Sequence, residues 1–96
     1  MWMSLVRRYR REFPALRWKV RRKKNMQGSF ALTWWDTDCF RTDIASDYPD
    51  EVLAFILAHE VAHCLSHHEK GDEHHGDAFW AAYRRTYEIY EEWAHG

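Results

Sequence analysis

The alternation of apolar and polar positions divides the chain of 96 residues into six predicted elements. Apolar residues recur every three or four positions from Trp2 to Phe13, which predicts a short basic helix that Pro14 ends. Strict alternation predicts strands over 16–22 and 30–35, and a weaker alternation predicts a third strand over Cys39–Ala45. We expect the first two strands to pair as a hairpin, because a short polar segment with a glycine connects them.

Two longer helices are predicted in the second half of the chain. Pro49, Asp50 and Glu51 mark the start of a helix that runs to about His67. Apolar residues nearly surround this helix, so we expect it to be central. A last helix over about 76–94 carries an aromatic stripe that is typical of core packing. The predicted fold class is α+β, with a three-stranded antiparallel sheet, in a single domain spanning residues 1–96.

Charge is distributed unequally, although the formal net charge is only −1. Residues 1–35 contain ten basic residues and one acidic residue, whereas residues 36–96 contain four basic and fourteen acidic residues. Two interpretations stay open. The halves neutralise each other within the fold, or the basic segment from Arg7 to Lys24 binds a nucleic-acid backbone without sequence preference.

Cysteine content and hydropathy bear on the compartment. Cys39 and Cys64 are too few for a disulfide framework, and the first residues do not form a signal peptide. The longest apolar run, 52–65, is interrupted by ionisable residues and is too short to span a bilayer. We expect a soluble, cytoplasmic protein without a membrane partner.

The central helix carries the sequence His59-Glu60-Val61-Ala62-His63, which is an H-E-x-x-H motif. Positions four apart lie about 40° apart around a helix and about 6 Å apart along it, so both imidazoles can bind one Zn²⁺. Glu60 lies just outside the coordination shell, where it can accept a proton from water and pass it to a leaving amine. Burying two histidines and a glutamate in an apolar helix costs free energy unless a nearby cation compensates that cost.

The third metal ligand stays open at this point, because a catalytic zinc usually takes three protein ligands and the motif supplies two. The connection after the motif is rich in candidates: His67, His68, Glu69, Asp72, Glu73, His74, His75 and Asp77. A rival arrangement takes the ligand from the last helix, where the candidates are Glu88, Glu91 and Glu92. Candidates for stabilising an oxyanion are Tyr83, His67 and His68, and none of them is favoured.

The motif over 59–63, followed by His75-Gly76-Asp77-Ala78-Phe79-Trp80, resembles the SprT-like zinc metallopeptidases. In those enzymes an H-E-x-x-H helix is followed by a His-Gly motif that supplies the third ligand. The segment 28–34 is also similar to the strand before their active-site helix. The resemblance covers about residues 18–83. It implies a small zincin-like domain in which His59, His63 and His75 bind zinc, Glu60 is the general base, and the substrate is a protein or peptide, including protein attached to DNA.

Two features depart from the family pattern. The interval between His63 and His75 is short, and His74 or Glu73 can replace His75 as a ligand. Cys39 and Cys64 cannot build the zinc ribbon of larger relatives, which weakens the expectation of nucleic-acid recruitment. Two other functions therefore remain alternatives. One is a nucleic-acid-binding module with a structural zinc, closed by a fourth ligand such as Cys64 or His67; the other is a metal-dependent hydrolase of a non-peptide substrate.

Zinc is also expected to support the fold itself. A chain this small has a marginal core, and a metal that joins two helices adds stability. Removal of zinc should therefore lower the stability of the protein as well as its activity. The oligomeric state is not indicated by the sequence.

Overall fold

The computed structural model describes residues 2–70 and 76–96, and the side chains of all of these except 68–70. The described elements are α1 (Trp2–Glu12), β1 (Trp18–Lys23), β2 (Ala31–Asp36), β3 (Cys39–Ala45), α2 (Asp50–Lys70) and α3 (Asp77–His95). The predicted α+β class and the order of the six elements are confirmed. The bounds differ by three residues at most, since α2 continues past His67 to Lys70.

The sheet is mixed, and the predicted hairpin between the first two strands is wrong. The strand order is β1-β3-β2, with β1 parallel to β3 and β2 antiparallel to it. Only residues 37–38 separate β2 from β3, and Thr37 adopts a φ of 54°, so a tight turn makes these strands neighbours. The longer connection 24–30 leaves room for β3 to insert between β1 and β2.

Strand β3 lies at the centre of the sheet and is the most buried of the three strands. All of its residues except Arg41 are buried, whereas most residues of β1 and β2 are partly or fully exposed. Strand β2 therefore lies at one edge of the sheet. Its exposed face carries large apolar side chains, since Leu32 is 56% exposed and Trp34 is 40% exposed.

Helix α2 lies at the centre of the molecule, as its apolar surface predicts. Leu53, Leu57 and Val61 are completely buried, and each such side chain contributes about 1.5–3 kcal/mol through removal from water. Helix α1 is fixed to α3 by polar contacts at the edge of this core. The Tyr9 hydroxyl donates to the Thr86 carbonyl oxygen at 2.7 Å. The arrangement holds α2 between the sheet and the other two helices.

Basic side chains of the first half of the chain make several contacts with the second half. Ion pairs join these residues: Arg8 with Glu92, Arg21 and Lys23 with Asp43, and Arg22 with Asp50. Within the first half, the Arg10 guanidinium lies over the Trp18 ring, 5.8 Å from its centroid, and this contact joins no acidic residue. Part of the charge asymmetry is thus compensated within the fold. Binding of nucleic acid by the segment from Arg7 to Lys24 stays a prediction.

The structure describes both cysteines and the length and hydropathy of its helices. Cys39 and Cys64 are both buried and free. Among the helices that the structure describes, none combines the length and the hydropathy that a membrane span requires.

Candidate metal and active site

Successive turns of α2 bring His59 and His63 together. Their Nε2 atoms lie 3.0 Å apart. Two nitrogen ligands of one tetrahedral zinc, each at about 2.0–2.1 Å, would lie about 3.3 Å apart, so the pair is close to the separation that a shared metal requires. Both side chains are half-buried. Two neutral imidazoles are also ligands that zinc prefers, and the donor set therefore fits the metal.

Phe79 of α3 supports both imidazoles from one side. Its ring centroid lies 5.1 Å from that of His59 and 4.6 Å from that of His63. The Phe79 side chain is completely buried. Because the ring contacts both histidines, α3 restricts their rotamers as well as covering the core. The sequence predicted that the aromatic stripe of α3 packs in the core, and contact with the two histidines is a further role of one of its members.

Glu60 contacts the sheet, although it follows His59 directly in sequence. Its side chain is buried, with 8% exposure, and its Oε1 atom accepts a hydrogen bond of 2.6 Å from the Thr33 hydroxyl of β2. Burial raises the pKa of this carboxyl group, and the hydrogen bond from Thr33 opposes that rise. The carboxylate is therefore anchored at one oxygen rather than mobile.

An aromatic wall on α3 continues from Phe79 beside the histidines. The Tyr83 ring lies 5.7 Å from the His59 ring and stacks on Trp80 at 5.9 Å. Burial raises the pKa of the Tyr83 phenol, which therefore keeps its proton near neutral pH. Trp80, Tyr83, Arg84 and Tyr87 line an open pocket of about 330 Å³. Of the three oxyanion candidates, Tyr83 is the one with a described contact to His59.

The third ligand falls outside the described residues if it is His75, His74, Glu73 or Asp72. Among the side chains that the structure describes, those of residues 2–67 and 76–96, no group of three potential metal ligands is present. The glutamates of the rival arrangement contact other residues: Glu88 lies near Arg84, Glu91 near His95, and Glu92 near Arg8. The described structure thus supplies two converging imidazoles and the carboxylate beside them.

Two residues considered as a fourth ligand lie against the sheet. The His67 ring packs edge-on against Phe40 of β3, with centroids 5.2 Å apart. Cys64 is completely buried and hydrogen bonds with the Thr42 side chain. Burial and the nearby Glu60 carboxylate raise the pKa of Cys64, which therefore remains a thiol. Zinc binds the thiolate, so this environment does not favour Cys64 as a ligand.

Three residues around Glu60 were not found by sequence reasoning. Thr33 donates to Glu60, Thr33 and Thr42 are linked at 2.8 Å, and the Trp18 indole donates to Thr42 at 3.0 Å. Threonine is common in strands for its β-branched shape alone, so neither threonine is marked by the sequence. Their contact depends on the register of β2 and β3, in which Thr33 lies opposite Thr42.

Comparison with known families agrees with the two motifs. A family model described as the SprT-like family matches residues 1–94. The match covers nearly the whole chain, so the chain belongs to the SprT-like family. Comparisons with curated proteins and with solved structures find no match. Membership is consistent with a role related to zinc-dependent peptidases.

Proposed function

We propose that this chain is a zinc-dependent metallopeptidase in which His59 and His63 bind the metal and Glu60 is the general base. The observation that carries the proposal is the approach of the two Nε2 atoms to 3.0 Å next to a buried carboxylate of the same helix. Membership of the SprT-like family supports the same function. His75 is proposed as the third ligand, on the resemblance of its His-Gly motif.

The chemistry is divided between the metal and the protein. A zinc ion at this site would polarise the substrate carbonyl and lower the pKa of water. Glu60 accepts a proton from the attacking water and delivers it to the leaving amine. Its carboxylate is suited to this because Thr33 anchors Oε1, while Oε2 makes no hydrogen bond among the described residues.

The edge of the sheet offers a place for an extended peptide. Strand β2 lies at the end of the order β1-β3-β2, and its Thr33 side chain contacts Glu60. A substrate that adds to this edge as a further strand would pass close to the catalytic carboxylate. The exposed side chains of Phe30, Leu32 and Trp34 would then flank the peptide. We therefore propose an extended, unfolded segment of protein as the substrate.

The central test compares wild type with Glu60→Gln on a fluorescently labelled unfolded protein such as casein. We expect kcat to fall by about 10²–10⁴-fold with zinc still bound, because only the base is removed. Glu51→Gln is the matched control, since Glu51 is an exposed carboxylate in the first turn of the same helix. A wild-type protein without hydrolysis, or a Glu60→Gln variant with full activity, would refute the proposed function.

Metal content identifies the ligand set in the same preparations. We expect one equivalent of zinc in wild type, lost in His59→Ala, His63→Ala and His75→Ala. His67→Ala should retain it, because this ring packs against Phe40. Retention of zinc in His75→Ala together with its loss in His74→Ala would transfer the third ligand to His74.

A further inference from the structure

Glu60 is the end point of a chain of hydrogen bonds that crosses the whole sheet. The Trp18 indole of β1 donates to Thr42 of β3 at 3.0 Å, and Thr42 and Thr33 hydroxyl oxygens lie 2.8 Å apart. The Thr33 hydroxyl of β2 then donates to Glu60 at 2.6 Å. We call these three residues, Trp18, Thr42 and Thr33, the relay.

The direction of every proton in the relay follows from its two ends. An indole N–H can only donate, and an ionised carboxylate can only accept. Thr33 uses its single proton for Glu60, so the bond between the threonines must be donated by Thr42. Thr42 has then used its own proton and accepts from Trp18. All three bonds thus point toward the carboxylate, and aligned bonds of this kind strengthen each other.

The relay is held in place by burial at its far end. Trp18 is 5% exposed and Thr42 is 1% exposed. The Arg10 guanidinium covers the Trp18 ring, and Cys64 hydrogen bonds with the Thr42 side chain. Among the described residues, every buried side-chain nitrogen or oxygen atom has a hydrogen-bond partner. Rotation of Thr33 or Thr42 would therefore leave a buried polar group unpaired, which is unfavourable.

We propose that Thr33 is a positioning residue for the general base, and that Thr42 and Trp18 fix the rotamer of Thr33. This inference rests on the proposed peptidase function of Glu60. Holding Oε1 from the sheet side orients the second oxygen, Oε2, for proton transfer. In this role the Thr33 hydroxyl acts through Glu60 and binds neither the substrate nor the metal.

The kinetic test compares Thr33→Val, which removes only the hydroxyl, with Thr33→Ser, which keeps it. We expect Thr33→Val to lower kcat by roughly 10–100-fold, as loss of a supporting hydrogen bond at a metal site commonly does. In Thr33→Val, KM and zinc content should stay within about twofold of their wild-type values, because the substitution changes neither the metal ligands nor the contacts with substrate. Thr33→Ser should recover most of the lost kcat.

Thr86→Val is the matched control for loss of a buried threonine hydroxyl. Thr86 is completely buried on α3, and its hydroxyl donates to the Ala58 carbonyl rather than to Glu60. We expect this variant to lose stability but to keep its kcat. Equal losses of kcat in Thr86→Val and Thr33→Val would overturn the positioning role, as would a failure of Thr33→Ser to recover activity.

A second readout does not depend on activity. In ¹⁵N-labelled, zinc-loaded protein, the indole N–H resonance of Trp18 is assigned by its disappearance in Trp18→Phe. Thr33→Val should shift this resonance, because Thr42 loses the acceptor of its proton, whereas Thr86→Val should not. An unchanged Trp18 resonance in Thr33→Val would overturn the relay.

The kinetic outcomes also separate this inference from the proposed function. Activity that Glu60→Gln abolishes and Thr33→Val retains would overturn the relay alone. Activity that Glu60→Gln retains would overturn the peptidase mechanism on which the relay depends.

Discussion

The two sides of helix α2 differ in the kind of surface that they contact, although the residues involved are neighbours in sequence. On the side that meets α3, His59 and His63 lie against the ring of Phe79. On the side that meets the sheet, Glu60 and Cys64 contact threonine hydroxyls. One helix therefore presents two imidazoles to an apolar, aromatic surface and a carboxylate to a polar one.

The difference follows from what each group needs in order to act. An imidazole ligand must be correctly rotated, and a packed aromatic ring restricts that rotation without competing for the ring nitrogens. A general base must stay ionised in a buried place, and this requires a hydrogen-bond donor. Burial alone raises the pKa of Glu60, and Thr33 limits the rise. The aromatic side thus contributes packing, and the sheet side contributes orientation.

Of the changes that test this difference between the two sides of α2, Phe79→Ala is expected to lower the stability of the protein most. Removal of a completely buried phenylalanine costs about 3–5 kcal/mol, and it also frees both imidazoles. Chemical denaturation should show this loss, and zinc affinity should fall with it. Phe55→Ala is the control, since Phe55 also packs on aromatic rings of α3 but is 47% exposed. Equal losses of unfolding free energy and of zinc affinity in Phe79→Ala and Phe55→Ala would show that the two histidines do not depend on packing against Phe79.

Removal of zinc should have the next largest effect. A metal at 100 times its dissociation constant stabilises the folded state by about 2.7 kcal/mol, which in a domain of this size corresponds to roughly 10–20 °C in Tm. We expect a strong chelator to lower Tm by this amount. His59→Ala is the control, because its Tm should not respond to the chelator. An unchanged wild-type Tm would contradict the role of zinc in joining the helices.

The smallest effect on stability is expected from Asp43, the residue after Thr42 in β3, whose side chain lies on the other face of the sheet. The hydrogen-bonded Arg21 guanidinium lowers the pKa of Asp43 below its ordinary value of 3.8. The ionised form therefore adds stability above pH 3.8, and this stability is lost as pH falls through the lower, folded-state pKa. Asp43→Asn should be less stable than wild type at pH 7, with a difference that shrinks in strong acid. If the difference in stability between Asp43→Asn and wild type did not change with pH, packing rather than charge would account for it.

The sequence predicted well those features that depend on local periodicity. The run from Leu53 to Val61 has the apolar surface of a central helix, and the His59–His63 spacing brings two imidazoles together on any α-helix. Both follow from 3.6 residues per turn. The aromatic stripe of α3 was predicted as core for the same reason, and Phe79 is indeed completely buried.

The remaining features depend on contacts between distant segments. The order of the strands depends on which edge of β3 each neighbour takes, and alternation within a strand carries no information about that. The hairpin prediction failed for this reason, and the contact of Thr33 with Thr42 was missed with it. The third ligand stays a prediction, because His75 lies outside the described residues.

The relay also has a consequence for the order of events in folding. Helices form from local contacts on the microsecond scale or faster, so we expect α2 to bring His59 and His63 together early. The partner of Glu60 arrives only when β2 has paired with β3 and the completed sheet has docked on the helix, which are slower, non-local steps. A partly folded chain therefore carries the full H-E-x-x-H motif before Thr33 anchors Glu60. Under the proposed function, a newly made copy would gain its anchored base only after the sheet has docked.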